Sequence, residues 1–149
     1  WPSGPEGSLG QDEYLQFVLI KENMNTLDAI TKLSAALNYK PARFEYSGAK
    51  DRRAVTGQFL TVWRPHPDCA ERLAARFHTS PLRVGRFQTW PTKPFLGGLT
   101  GNRFRVQLRG LDNQGVRHAA ARAGRLRTDG FLNRFGRQRF GRQGGENNG

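Results

Sequence analysis

Apolar residues recur along this chain at two periods, and each change of period marks an element. Residues 14–21 are a nearly continuous apolar run with polar residues on either side, which predicts a buried strand. Leu27, Ile30, Leu33 and Leu37 then recur at helical spacing. Asn25 or Thr26 suits the cap of this helix, Asp28 suits its first turn, and the helix ends near Asn38. Residues 42–46 read as a short strand and residues 57–64 as the next, with Phe59, Thr61 and Trp63 on one face. Pro67 opens a second helix that carries Ala70, Leu73, Ala74 and Phe77 inward. Residues 82–90 predict a strand, and residues 92–101, with Pro94, Gly97, Gly98 and Gly101, an irregular loop.

Residues 103–109 alternate as a strand does, with Phe104, Val106 and Leu108 facing one way and Arg103, Arg105, Gln107 and Arg109 the other. Residues 114–128 predict a helix whose stripe of Val116, Ala120, Ala123 and Leu126 reads as core, with Gly130 as its stop. Residues 1–12 read as a flexible lead-in and residues 142–149 as a disordered tail. Strands interleaved with helices place the chain in the α+β class, as a mixed, largely antiparallel sheet flanked by helices.

Charge narrows the function classes. The chain has 149 residues, enough for one ordinary domain, and 24 Lys and Arg against 12 Asp and Glu give it a net charge of +12. Such an excess favours phosphate backbones, and Arg, the commoner cation here, suits bidentate phosphate contacts and stacking on bases. An RNA scaffold protein would share this bias. A single cysteine, Cys69, excludes a disulfide framework and a cysteine zinc site within the chain, and it reads as a small buried residue. His66, His78 and His118 lack ligand spacing, so no metal is expected. No apolar run approaches the roughly 20 residues that span a bilayer, so no membrane partner is expected.

The chemistry concentrates between two of the predicted strands. The stretch Phe44-Glu45-Tyr46-Ser47-Gly48-Ala49-Lys50-Asp51-Arg52-Arg53-Ala54-Val55-Thr56-Gly57-Gln58 sets one central carboxylate, Asp51, among three cations in a turn. Opposite charges nearby favour its ionised form, and an ionised Asp held against a substrate is a candidate nucleophile. The same residues suit a solvated basic turn in which Asp51 pairs with a neighbouring Arg.

This stretch resembles the signature of the TruD-type pseudouridine synthases. Three more segments resemble that family in the same order: Lys21-Glu22-Asn23-Met24-Asn25-Thr26, Gly97-Gly98-Leu99-Thr100-Gly101-Asn102-Arg103-Phe104, and Gly130-Phe131-Leu132-Asn133-Arg134-Phe135-Gly136-Arg137-Gln138-Arg139-Phe140-Gly141. Phe135 and Ser47 are mild departures from its usual residues. The resemblance implies part of a catalytic domain over residues 13–141, with the remaining strands supplied by the rest of the synthase or by a bound partner such as a ribonucleoprotein. It implies RNA (tRNA, rRNA or mRNA) as partner, an intracellular location and no cofactor. By the same resemblance Asp51 is the catalytic carboxylate, while Phe104 and Asn102 hold the flipped uracil. Lys21, Lys50, Arg52, Arg53, Arg103, Arg105, Gln138 and Arg139 are the RNA-facing candidates. The alternative is a catalytically silent RNA-binding protein or ribonucleoprotein assembly factor that keeps the fold.

Overall fold

The computed structural model describes residues 14–132, so the lead-in, the tail and positions 133–141 lie outside the described residues. It forms two compact units, Trp1–Asn102 and Arg103–Gly149.

In the first unit the elements run β1 (Tyr14–Glu22), α1 (Thr26–Leu37), a 3-10 turn (Pro41–Arg43), β2 (Phe44–Glu45), β3 (Val55–Trp63), α2 (Cys69–Arg76), β4 (His78–Thr79) and β5 (Leu82–Trp90). The five strands lie in the order β2-β3-β1-β5-β4, and every pairing among them is antiparallel, in keeping with the largely antiparallel α+β sheet that the sequence suggested. The continuous apolar run of β1 fits a strand covered on both faces: Leu15, Phe17 and Leu19 are buried on one side, and on the other Gln16 is buried and Val18 and Ile20 are half-buried.

Leu15, Phe17 and Leu19 point to one face of β1, opposite Val62, Leu60 and Gln58 of β3. With Ala29, Ile30, Leu33 and Leu37 of α1 and Cys69 and Leu73 of α2, they form the buried core. Cys69 is fully buried, as the sequence implied, and burial is the main cause that pushes its thiol up to about 11. Between Gln16 and Val18 the β1–β5 register shifts, with Arg86 in the left-handed region (φ 56°). This bulge restores the alternation, so that Phe87 packs on Phe17 with ring centroids 5.6 Å apart.

Several facings differ from the periodic expectation. Leu27 is 64% exposed, and Thr26 takes the inward place at the start of α1, because its hydroxyl finds polar partners there. In β3 Phe59, Thr61 and Trp63 share one face as expected, and the alternate residues Leu60 and Val62 enter the core. Both faces of β3 carry apolar residues, and the helices pack on the one that presents Leu60 and Val62. On the opposite face Trp63, Tyr14 and Trp90 line up across β3, β1 and β5. In α2 Leu73 is buried and Ala74 is exposed.

In the second unit, residues 103–109 form no strand, and Phe104, Val106 and Leu108 are exposed. Alternation predicts a strand, but a ladder also requires a partner, and no described strand pairs with this segment. The helix α3 (Asn113–Thr128) forms as expected, capped by Asp112, whose carboxylate accepts the Gly115 N–H at 2.7 Å. Gly130 follows its end at a positive φ of 69°. Its apolar stripe is not core among the described residues, for α3 buries none of its side chains. A stripe identifies the apolar face of a helix without supplying what covers it.

The corrected facing of α1 is testable by urea unfolding. Leu33→Ala should cost roughly 2–5 kcal/mol, as for a buried leucine. Leu27→Ala should stay within about 0.5 kcal/mol, as for an exposed one. Equal losses would contradict this facing.

Candidate active site

The segment that joins β2 to β3, residues 46–54, carries Asp51. Its backbone is gripped from several elements. From β1, the Lys21 ammonium donates to the carbonyls of Lys50 at 3.1 Å and Asp51 at 2.8 Å. From the first residue of α1, the Thr26 hydroxyl accepts the Lys50 N–H at 3.1 Å and donates to Gln58 Oε1 at 3.2 Å. From β3, Gln58 Nε2 donates to the Gly48 carbonyl at 3.2 Å. The N–H of Asn23, just past β1 and in the left-handed region, donates to the Ala54 carbonyl at 3.2 Å.

A fifth contact comes from the chain after β5. Lys93 forms an ion pair with Glu45 at 2.9 Å, and the Gly97 N–H donates to the Ser47 carbonyl at 3.0 Å. Glu45 points away from the helix-covered face, because its neighbour Phe44 is buried there. Residues 91–97 therefore cross the other face of the sheet from β5 to β2. Leu99 then comes to rest beside Gly48. This crossing brings the glycine-rich segment that ends at Asn102 to the base of the Asp51 loop.

Lys21 lies elsewhere than the sequence suggested. Expected among the cations that face RNA, it is fully buried. The reason is phase: Leu15, Phe17, Leu19 and Lys21 share one face of β1, and that face is the core. Burial is the main influence on its pKa and lowers it; the Asp51 carboxylate acts in the opposite sense, and Lys50 lowers it further. Across the strand pair from Lys21 sits Thr56, whose hydroxyl is shielded and has no hydrogen-bond partner among the described residues.

The Asp51 side chain takes no part in these backbone contacts. The residue is exposed, and its carboxylate makes no hydrogen bond or salt bridge with a described residue. Arg52 and Arg53 are exposed and do not pair with it, and Lys50 is half-buried. Asn102 ends the first unit, exposed. Arg103, Phe104 and Arg105 belong to the second unit and are exposed; Gln138 and Arg139 lie outside the described residues. Thr26 and Gln58 stand in the signature-like segments, yet neither was a site candidate. The available signal was a polar residue at an inward position of an otherwise apolar element. Among the described residues no group of three or more His, Cys, Asp or Glu is placed to hold a metal ion, and no helix is long and apolar enough to cross a membrane.

Comparison with known proteins gives this geometry a family. Residues 3–147 match the family described as tRNA pseudouridine synthase D (TruD). The chain is 41% identical to pseudouridylate synthase 7 homolog of Mus musculus, over 95% of the chain and 20% of that protein. It is 37% identical to tRNA pseudouridine synthase D of Geobacter metallireducens, over 91% of the chain and 32% of that protein. The fold superposes on a putative tRNA pseudouridine synthase D from Methanosarcina mazei with a TM-score of 0.72 and 28% identity, over 91% of this chain and 31% of that one. The chain thus spans between a fifth and a third of the length of these relatives.

The buried ammonium makes a pH prediction. The folded-state pKa of Lys21 lies below the ordinary 10.5, so between the two values the unfolded chain binds more protons and the contribution of Lys21 to stability rises with pH. The stability of the wild type relative to Lys21→Met should therefore climb as pH is raised toward 10.5, measured by urea unfolding. A difference that stays flat through the alkaline range would contradict a lowered pKa for Lys21.

Proposed function

We propose that this chain, which belongs to the tRNA pseudouridine synthase D (TruD) family, supplies the catalytic carboxylate of an RNA pseudouridine synthase, and that Asp51 is that carboxylate. The reading is carried by the contrast at residue 51. Its carbonyl is bound by a buried ammonium at 2.8 Å, while its carboxylate, on an exposed residue, has no hydrogen-bond or salt-bridge partner among the described residues. A side chain that serves the fold is normally paired; one that serves a substrate is presented, and its backbone is fixed.

The reaction breaks the bond between ribose C1′ and uracil N1, turns the base, and joins C1′ to C5. The proton lost at C5 balances the one gained at N1, so no atom enters or leaves and no electron donor or acceptor is needed. A carboxylate at the sugar–base bond acts as nucleophile or base. The uridine must first leave its stack, at a cost of a few kcal/mol. Phe104, 74% exposed, is the ring on which the freed uracil stacks, and the Asn102 amide offers both a donor and an acceptor to its edge. Lys50, Arg52, Arg53, Arg103 and Arg105 contact phosphates, and Gln138 and Arg139 complete the RNA-facing set. Lys21 is withdrawn from that set, since its ammonium is spent on the loop.

In the full-length protein, Asp51→Asn should abolish uridine conversion while RNA affinity stays within about twofold, because a lost nucleophile removes little ground-state binding. Substantial conversion by this variant would refute the assignment. RNA binding without conversion by the wild type would instead favour the silent RNA-binding alternative.

Phe104→Ala separates stacking from packing. An exposed ring on the second unit contributes little to its core, so the variant should melt close to the wild type. Its turnover should fall by the equivalent of roughly 1–3 kcal/mol of base stacking. A large loss of stability with proportionate loss of turnover would sink the stacking role.

A further inference from the structure

We propose that Thr26 and Gln58 are positioning residues for this reaction. Their side chains form one hydrogen-bonded relay behind the loop that sets where the Asp51 carboxylate is presented. The inference rests on the reading of Asp51 as the catalytic carboxylate.

The relay has a fixed direction. The Lys50 N–H donates to Thr26 Oγ1 at 3.1 Å, so the hydroxyl is an acceptor toward the loop. A hydroxyl has one proton to give, and here it goes to Gln58 Oε1 at 3.2 Å. That contact claims the oxygen of the amide and turns Nε2 toward the Gly48 carbonyl, 3.2 Å away. The loop is thereby pinned at Gly48 and at Lys50, the residue before Asp51, to the start of α1 and to β3.

Nothing else in the structure accounts for the Thr26 hydroxyl. The residue is buried, and valine would fill the same space. It is not the helix cap either: that position is Asn25, whose side chain bonds Asp28 at 3.0 Å. The hydroxyl makes no bond within α1, and its bonds go to Lys50 and Gln58. Lys21 holds the carbonyls of Lys50 and Asp51, and the relay holds the Lys50 N–H and the Gly48 carbonyl, so losing the relay leaves the loop attached at Lys21 and near its ends but loosens it just before Asp51. A displacement of about 1 Å at a reacting group is worth roughly 100-fold in rate.

The test uses the full-length protein with Thr26→Val, Thr26→Ser, Gln58→Met and the Thr26→Val/Gln58→Met double variant. Single-turnover uridine conversion, RNA affinity and amide hydrogen exchange of the loop are measured on each. Thr26→Val should slow conversion roughly 10- to 100-fold with affinity changed less than about twofold. It should also speed exchange of the Lys50 amide. Thr26→Ser keeps the hydroxyl and should restore both. The double variant should be no more than about twofold slower than the worse single one, because both changes break one relay. Wild-type conversion by Thr26→Val, unchanged loop exchange, or losses that multiply in the double variant would each overturn the proposal. If Thr26→Val does not fold, Gln58→Met carries the same expectations. A wild-type protein that converts no uridine overturns the catalytic reading of Asp51, whereas loop exchange still decides whether the relay holds the loop.

Discussion

The site depends on one buried charge. The Lys21 ammonium sits with no exposed surface at the end of a core strand, a position that is costly unless the charge is compensated. Compensation comes from two loop carbonyls and from the field of Asp51. The loop therefore closes over β1 to serve the lysine as much as the lysine serves the loop. Thr26, Thr56 and Gln58 gather around it and make that end of the helix-covered face polar, while Leu15, Phe17, Leu60 and Val62 keep the other end apolar. One sheet thus carries a hydrophobic core and a hydrogen-bonded platform on the same face.

The platform separates support from the chemistry proposed for Asp51. Contacts from β1, α1, β3 and the chain after β5 fix the backbone around residue 51, and none of them uses the carboxylate. A carboxylate held only through its main chain keeps its oxygens available, which suits the role proposed for Asp51. The residues that match the family signature divide in the same way. Lys21, Thr26 and Gln58 are turned inward and spend their polar groups on the loop, whereas Asp51, Arg52 and Arg53 are turned outward.

The second unit has a different character. Residues 103–129 contain seven Arg and two Asp, α3 contains no acidic residue, and no ion pair joins any of these cations to an acid among the described residues. In α2, by contrast, Arg72 lies within 4 Å of Asp68 and donates to the Ala36 carbonyl, so a cation there helps hold helix to helix. Over residues 103–109 the exposed Phe104, Val106 and Leu108 alternate with Arg103, Arg105, Gln107 and Arg109, and the described elements of this unit are defined by local pattern more than by burial.

Much of this was legible in the sequence. The span of β5, the helices over residues 26–37 and 113–128, the turn around Asp51 and the burial of Cys69 follow from periodicity, caps and residue type, which are local properties. The four signature-like segments pointed to the family. The inward phase of Lys21 was legible too, in its spacing from Leu15, Phe17 and Leu19, although its charge suggested solvent. What periodicity did not carry was the identity of each partner. Leu60 rather than Phe59 is core because the helices cover that face of β3 and not the other, and Thr26 displaces Leu27 because a loop 24 residues further on offers its hydroxyl a donor. The alternation over residues 103–109 predicted a strand but could not supply the neighbour that a ladder requires. The sequence by itself determined which segments were able to be helix or strand and which residues carried chemistry. Only the tertiary structure decided what each face met, because burial and hydrogen bonding depend on groups brought together from distant positions along the chain.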